Sequence, residues 1–468
     1  MTTVNNKSQK VTRWRKNLVQ RRVNIQVDHL RPQRWNWYVL VRPLDHSLAR
    51  QVQEPLPIGG LRSLRYFWLD GLFAAISENF YLGFIALFAL AYGANNSQIG
   101  LLAAVANLLG MLALFPGARL VEQVKQRKGV VIWSAGIFSR LALLGLALIP
   151  FLIFQPAVAI AAIIVLDGFR SFTANLANPG WTSMVADLVP ESMRGRFFAS
   201  RNTAMGLAAI LITPLAGRMI SSTNTRLDSL FAGYQVVFLF AFLFGLVSTI
   251  SFERIQEPKS SETARRPHQR GDLRRALRHS PGFIALVVGA LVWNMALQVA
   301  APFFNVYLKS EFQATTLTIG ILAGIASLSA LVGQRVFSNL LDKKGAFWVQ
   351  TTTGLLIPLL PLAWAIITAP WQVGIINTFS GFLWAGYSLS NFNLLLELTP
   401  DEQRPRAVAL FQTAVFGSAV IGPLLGGYLA DAIGFRFIFV LSGAGRFLGI
   451  ALFLWLTIRS KRALEVTS

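Results

Sequence analysis

Twelve long apolar blocks, separated by short polar joints, govern what this chain can fold into. They fall near residues 67–92, 98–118, 129–153, 157–187, 201–220, 232–252, 281–307, 317–341, 347–368, 372–398, 406–430 and 436–458. A bilayer core about 30 Å thick is crossed by roughly 20 apolar helical residues. In lipid, only helices and closed barrels satisfy their backbone groups internally, and blocks of this length are too long for barrel strands. Of the 468 residues, 54% are hydrophobic and 14% charged, too little charge to coat several soluble domains. The sequence therefore predicts an all-α membrane protein with twelve transmembrane helices, numbered here as spans one to twelve.

The net charge of +22 raises the possibility of a nucleic-acid partner, but its distribution argues against one. With an even number of spans both termini lie on the same side, and the joints on that side carry almost all the Lys and Arg. Only Arg226, Lys309 and Arg436 fall on the opposite side. Such asymmetry is the positive-inside bias, which predicts cytoplasmic termini in a cell (plasma or inner) membrane. The excess base reports orientation, so the expected partners are the lipid bilayer and a small-molecule substrate, with no nucleic acid. There are no cysteines and the four His are scattered, which excludes disulfides, thiolate chemistry and a His-based metal site. No metal or cofactor is expected. No apolar stretch with a small-residue cleavage site opens the chain, and no removable signal peptide is expected.

The segments expected outside the bilayer are 1–65, 253–280 and 460–468. The first interleaves Arg13, Arg15, Lys16, Arg21, Arg22, Arg31 and Arg34 with Trp14, Trp35, Trp37 and Tyr38. That mixture suits a segment lying on the inner membrane surface, and equally a solvated tail. Residues 253–280 hold eight basic and four acidic residues, with Pro258 and Pro281 near their ends, a linker between two six-helix bundles, 66–252 and 281–459. An internal repeat supports that division. At a shift of 210, Leu188-Val189-Pro190-Glu191 falls on Leu398-Thr399-Pro400-Asp401, Asp187 on Glu397, Arg194 on Arg404 and Arg196 on Arg406. At a shift of 220, Ile99-Gly100 falls on Ile319-Gly320 and Glu122 on Asp342. Two parallel, pseudo-symmetric repeats of six spans account for both values.

Charged and polar residues in mid-span mark the candidate site, because ionisable groups in a bilayer are costly and face the bundle interior. Glu78 lies near the middle of span one, and Asp167 and Arg170 at a comparable depth in span four. At 100° per residue, Asp167, Arg170, Ser171, Asn178 and Trp181 share an arc of roughly 100°. Span ten presents a similar stripe of Asn377, Ser380, Trp384, Tyr387, Ser388 and Asn391. The repeat sets Asn377 against Asp167 and Gln298 of span seven against Glu78. Glu78 or Asp167 is a candidate proton carrier, since desolvation raises a carboxyl pKa and a nearby Arg lowers it. Glu78 is preferred, because Arg170 lies one turn from Asp167 and neutralises it. The alternatives for Asp167–Arg170 are a structural ion pair and direct substrate binding. Arg140 and Arg446 are expected to pair with neighbours, Arg335 to meet substrate or snorkel, and Asp70 to be hydrated.

Three motifs resemble the major facilitator superfamily over spans one to twelve. Ala118-Arg119-Leu120-Val121-Glu122-Gln123-Val124-Lys125-Gln126-Arg127-Lys128, after span two, is similar to the family's Gly-x-Leu-Ala-Asp-Arg-x-Gly-Arg-Lys signature. Leu340-Leu341-Asp342-Lys343-Lys344-Gly345, after span eight, is closer to it. Gly422-Pro423-Leu424-Leu425-Gly426-Gly427 in span eleven matches Gly-Pro-x-x-Gly-Gly outright, whereas span five has Thr213-Pro214-Leu215-Ala216-Gly217-Arg218. The resemblance implies a central cavity lined by spans one, four, seven and ten. Its candidates are Asn178, Trp181, Asn294, Gln298, Asn377, Trp384, Tyr387 and Asn391. It also implies that Glu122, Asp187, Arg194, Asp342, Glu397 and Arg404 form a latch at the inner surface that holds an outward-open form. The alternative is ordinary exposed loop charge.

The function expected is secondary active transport of a small organic solute by alternating access, coupled to protons, by a monomer. The direction of transport is left open. The Gly-Pro-x-x-Gly-Gly pattern that the family associates with antiport is incomplete in span five. No phosphate-cradling Gly-x-x-x-x-Gly-Lys-Ser/Thr segment is present, which argues against ATP drive. A sensor with a transporter-like fold, without net flux, is the alternative. An enzyme is not expected, because no nucleophile elbow or metal set is found.

Overall fold

A computed structural model describes residues 60–124, 127–189, 194–257, 281–397 and 404–467. The basic, aromatic segment before residue 60 and the linker beyond residue 257 lie outside the described residues, as do the side chains of Glu122, Glu397 and Arg404. Contacts divide the chain into Met1–Leu61 and Arg62–Ser468, and the helical bundle belongs to the second unit.

All twelve expected spans are helical, and several are interrupted. Span one consists of Gly60–Tyr81 and Ile85–Ala91, span two of Asn96–Gln123, and span three of Arg127–Val131, a π-helical stretch Ile132–Phe138 and Ser139–Leu152. Span four is Pro156–Leu176 and Asn178–Leu188, span five Arg194–Arg226 and span six Ala232–Glu253. In the second half, span seven is Pro281–Ala300 and Phe303–Phe312, span eight Thr316–Lys344 and span nine Ala346–Leu356 and Leu359–Ile366. Spans ten, eleven and twelve are Pro370–Glu397, Arg404–Ala432 and Phe435–Thr467. Eleven of the described helical spans are long and apolar enough to cross a membrane. Span ten is also long enough at 28 residues and carries the stripe of Asn, Ser, Trp and Tyr.

The interruptions have local causes. Pro302 and Pro358 each lack an N–H and clash with the preceding turn, which breaks spans seven and nine. Span four breaks one residue before Asn178-Pro179, and span one breaks at Leu82-Gly83-Phe84 without a proline. Spans two and eight, equivalent in the repeat, start on equivalent caps. The Asn95 side chain accepts from the N–H of Gln98 at 2.8 Å, and the Thr315 hydroxyl from that of Thr318 at 3.1 Å. Asn95 completes a capping box, since its own N–H donates to Gln98 Oε1 at 3.0 Å.

Span one begins and span twelve ends on the same face of the bundle, called here the terminal face. The two halves meet mainly towards the opposite, far face. There span two packs on span eleven and span five on span eight. Without a hydrophobic drive in lipid, close helix contact depends on small residues. A Cβ built on Gly100 of span two would overlap the Pro423 carbonyl of span eleven, and one on Gly320 of span eight would meet Thr213 and Pro214 of span five. The Gly-Pro-x-x-Gly-Gly segment serves two neighbours at once. Gly422 and Gly426 lie against Gln298 and Val299 of span seven, while Pro423 and Gly427 lie against span two. In span five, Thr213 stands where that motif has its first Gly, and its hydroxyl donates to Asn79 Oδ1 of span one at 3.0 Å. One buried apolar cluster, including Phe84, Phe88, Phe238, Phe303 and Phe439, runs through both halves, whereas a second, around Trp293 and Phe453, belongs to the second half alone.

Candidate functional site

The first half gathers three carboxylates and three guanidinium groups inside the membrane. Asp70, Ser77 and Tyr81 are seven and four residues apart on span one, so they project from one side of that helix. Arg170 Nε donates to Asp167 Oδ1 at 2.7 Å, with both side chains about nine-tenths buried, and Arg170 Nη1 donates to the Tyr81 hydroxyl at 3.0 Å. The Arg170 guanidinium also lies 4.8 Å from the centre of the Tyr81 ring. One turn or more towards the terminal face, Asp70 accepts from the Ser248 hydroxyl at 2.7 Å and faces Arg201 Nη2 at 3.8 Å. Arg201 is held over the rings of Phe67 and Trp181, at 4.8 and 5.6 Å. Arg140 packs against Gly245 and donates to Ser77 Oγ at 3.4 Å, and Ser77 itself donates to the Ala241 carbonyl at 2.6 Å.

Glu78 differs from the other two acids. It is exposed, whereas Asp70 and Asp167 are buried. Its carboxylate lies within electrostatic reach of both Arg170 and Arg201, yet no ion pair to it occurs among the described residues. The structure thus brings Glu78, Asp167 and Arg170 together and adds Tyr81, Asp70, Arg201 and Arg140. The expectation of a hydrated Asp70 fails: span six covers it with Ser248, and Arg201 arrives from span five. Both partners are remote in sequence, so no local spacing signalled them.

The second-half candidates divide between two pockets. Asn377, Ser380 and Trp384 line a cavity of about 170 Å³ together with Asn305, Trp364 and Arg446. Asn377 is partly engaged, since its Nδ2 donates to the Leu322 carbonyl at 2.9 Å. Tyr387 and Asn391 instead line a narrow pocket of about 10 Å³ with Trp293 and Gln350, enough for roughly one water. Tyr387 is buried and stacks on Trp293 at 4.8 Å. Gln298 packs beside Gly422, and Asn294 Nδ2 donates to the Ala290 carbonyl of its own helix at 2.8 Å. Asn178 is exposed and accepts from the Thr182 hydroxyl at 3.2 Å, while Trp181 packs on Phe67 and Arg201. Arg335 is exposed. Arg446 corrects its expectation, because its buried Nε and Nη2 have no hydrogen-bond partner among the described residues.

At the terminal face, Asp187 Oδ2 is held by Arg127 Nη1 at 2.8 Å, and the same Nη1 donates to the Ser183 hydroxyl at 2.5 Å. The Arg127 backbone N–H donates to Glu257 Oε1 at 2.8 Å. Arg127 belongs to the motif after span two, so this assembly joins spans three, four and six within the first half. Arg194 Nε donates to the Val189 carbonyl at 3.1 Å. Asp342 is exposed.

The superfamily model described as the Major Facilitator Superfamily matches residues 67–397 and 375–468. The chain belongs to the Major Facilitator Superfamily. This member is similar to the multidrug resistance protein MdtG of Dickeya zeae, with 24% identity over 89% of this chain and 99% of the relative. It is 23% identical to a multi-drug resistance efflux pump PmrA homolog of Lactococcus lactis, over 80% and 90% of the two chains. Its fold matches a bacterial homolog of the human lysosomal transporter Spinster in an inward-facing, unoccupied conformation, with a TM-score of 0.66, 12% identity and coverage of 85% and 97%. A bacterial homologue of the iron transporter ferroportin, also inward-facing, gives a TM-score of 0.64 at 15% identity, over 85% of this chain and 99% of that one. The superfamily member is a multi-pass membrane protein and a secondary transporter of a small-molecule substrate, not an enzyme.

Proposed function

We propose that this transporter exports amphipathic organic molecules from the cytoplasm across an inner membrane in exchange for protons, with Glu78 as the proton carrier. Relatives named as multidrug resistance proteins and efflux pumps, matched along most of both chains, support the substrate class and direction. The observation that carries the coupling is the contrast between Glu78, exposed and without an ion-pair partner among the described residues, and Asp167, buried and paired at 2.7 Å. A carboxylate that must gain and lose a proton needs access to water. One held in a buried, charge-assisted pair gains stability only while it stays ionised. Protonation of Glu78 removes a negative charge beside Arg170 and Arg201, which alters how well the cavity accommodates a substrate.

The positive-inside bias supports cytoplasmic termini. With that orientation the far face, where the halves meet, is extracellular. Alternating access then requires spans two and eleven, and five and eight, to part at the far face while the halves close at the terminal face. A monomer with one central cavity is sufficient for this cycle.

The test is flux in proteoliposomes carrying a fluorescent amphipathic dye and an imposed pH gradient. Glu78→Gln is expected to bind dye and to equilibrate it downhill while losing gradient-driven accumulation. Full accumulation by Glu78→Gln rejects Glu78 as the carrier. Dye binding without any flux in the wild-type chain rejects export itself.

A further inference from the structure

The cavity in the second half contains a positive charge that no carboxylate among the described residues neutralises, with only the Tyr387 hydroxyl within electrostatic reach. Arg446 is 2% exposed, and its Nε and Nη2 lack hydrogen-bond partners among the described residues. It lies eleven residues into span twelve, which places it about 16 Å from the far end of that helix, near the middle of the bilayer. An Arg side chain does not deprotonate in proteins, so the charge persists. The acids of the second half whose side chains are described are all remote: Glu311 lies near the end of the second segment of span seven, Asp342 at the terminal end of span eight and Asp431 at the far end of span eleven.

The first half meets the equivalent problem in part internally, although the Arg140 Nε also has no hydrogen-bond partner among the described residues. Arg140 of span three sits between spans three and six, against Gly245, with Ser77 bonded to it and Asp70 within electrostatic reach. Arg446 of span twelve occupies the corresponding region of the second half, beside spans nine and ten, and faces open space of about 170 Å³. Asn305, Asn377 and Ser380 converge on that space, and Trp364, Trp384 and Phe304 supply apolar walls. An isolated buried charge is strongly unfavourable, whereas a paired and hydrogen-bonded one is tolerated. An engineered apolar cavity of about 150 Å³ admits benzene, so a volume of this size admits a halide with water or a compact carboxylate.

We infer that this cavity is a binding site for one small monovalent anion, ligated by the Arg446 guanidinium and oriented by Asn305, Asn377 and Ser380. The anion is either a free halide or the carboxylate of a small organic solute, since both present the same charge to the same donors. The site does not depend on export or on Glu78, because binding is measured without transport.

The full chain is purified in detergent, and its thermal unfolding midpoint is followed at constant ionic strength as gluconate, too large for the cavity, is replaced by chloride or benzoate. A ligand bound only by the folded state raises the midpoint by mass action. The wild-type midpoint is expected to rise saturably. Arg446→Gln is expected to weaken half-saturation about ten- to a hundredfold, the size of a lost charged hydrogen-bonding partner. Ala323→Leu fills the cavity without touching the charge, and is expected to abolish the rise even where Arg446→Gln does not fold. Benzoate stabilisation without a chloride effect assigns the site to an organic carboxylate. Chloride stabilisation that competes with benzoate assigns it to a free anion. Equal shifts in wild type and both variants, or no shift with either anion, overturn the site.

Discussion

The Asp431 carboxylate, on the last turn of span eleven, accepts from the Ser97 backbone N–H at 2.8 Å and the Ser97 hydroxyl at 2.5 Å, on the first turn of span two. Its other oxygen accepts from the Asn96 N–H at 3.2 Å. An acid from one half thus caps the positive end of a helix dipole in the other. The contact is exposed, so solvent screening reduces it to the order of 1 kcal/mol. Asp431→Asn is expected to open the far face several-fold more often. The chain has no cysteines, so spin labels at Asn95→Cys and Ile433→Cys report the separation directly. An unchanged distance distribution refutes this role.

The Gly–Pro crossings form the stiffer part of the same closure. Gly100→Ala and Gly320→Ala each place a methyl group against backbone of the opposite half. Overpacking of this kind costs about 1–3 kcal/mol. Each variant should shift the label distances outward and slow transport. Gly83→Ala, with open space around its Cβ position, serves as the control and should leave the distances unchanged.

Asp167 and Glu78 are expected to separate stability from coupling. Removing one partner of a buried pair strands the other, at about 3–5 kcal/mol. Asp167→Asn should lower the unfolding midpoint markedly, and adding Arg170→Gln should recover part of the loss. Glu78→Gln should stay within about 0.5 kcal/mol of wild type, as exposed substitutions do. Comparable destabilisation by both changes contradicts the division of roles.

Arg127 and Asp187 should show direct coupling in a double-mutant cycle of about 1–3 kcal/mol. Thermal unfolding of Arg127→Gln, Asp187→Asn and the double variant measures it. Strict additivity indicates that the 2.8 Å pair contributes nothing beyond solvation.

Much of this protein was legible in one dimension, because lipid imposes a simple rule. Every spanning segment must be helical, long and apolar, so the blocks around residues 67–92 through 436–458 announced themselves without reference to their neighbours. The repeat of Gly100 in Gly320 likewise needed only alignment, and Asp167–Arg170 was readable because three residues is a helical contact distance. Sequence spacing says nothing, however, about which helix faces which. The packing of six helices decided that Ser248 and Arg201, more than a hundred residues away, would enclose Asp70. It gave Asp187 to Arg127, and split the single stripe of span ten between two pockets. Arg446 shows the distinction most plainly. Its charge and depth follow from the sequence alone, but only the tertiary arrangement, which brings no acid near it among the described residues, leaves that charge facing an open cavity.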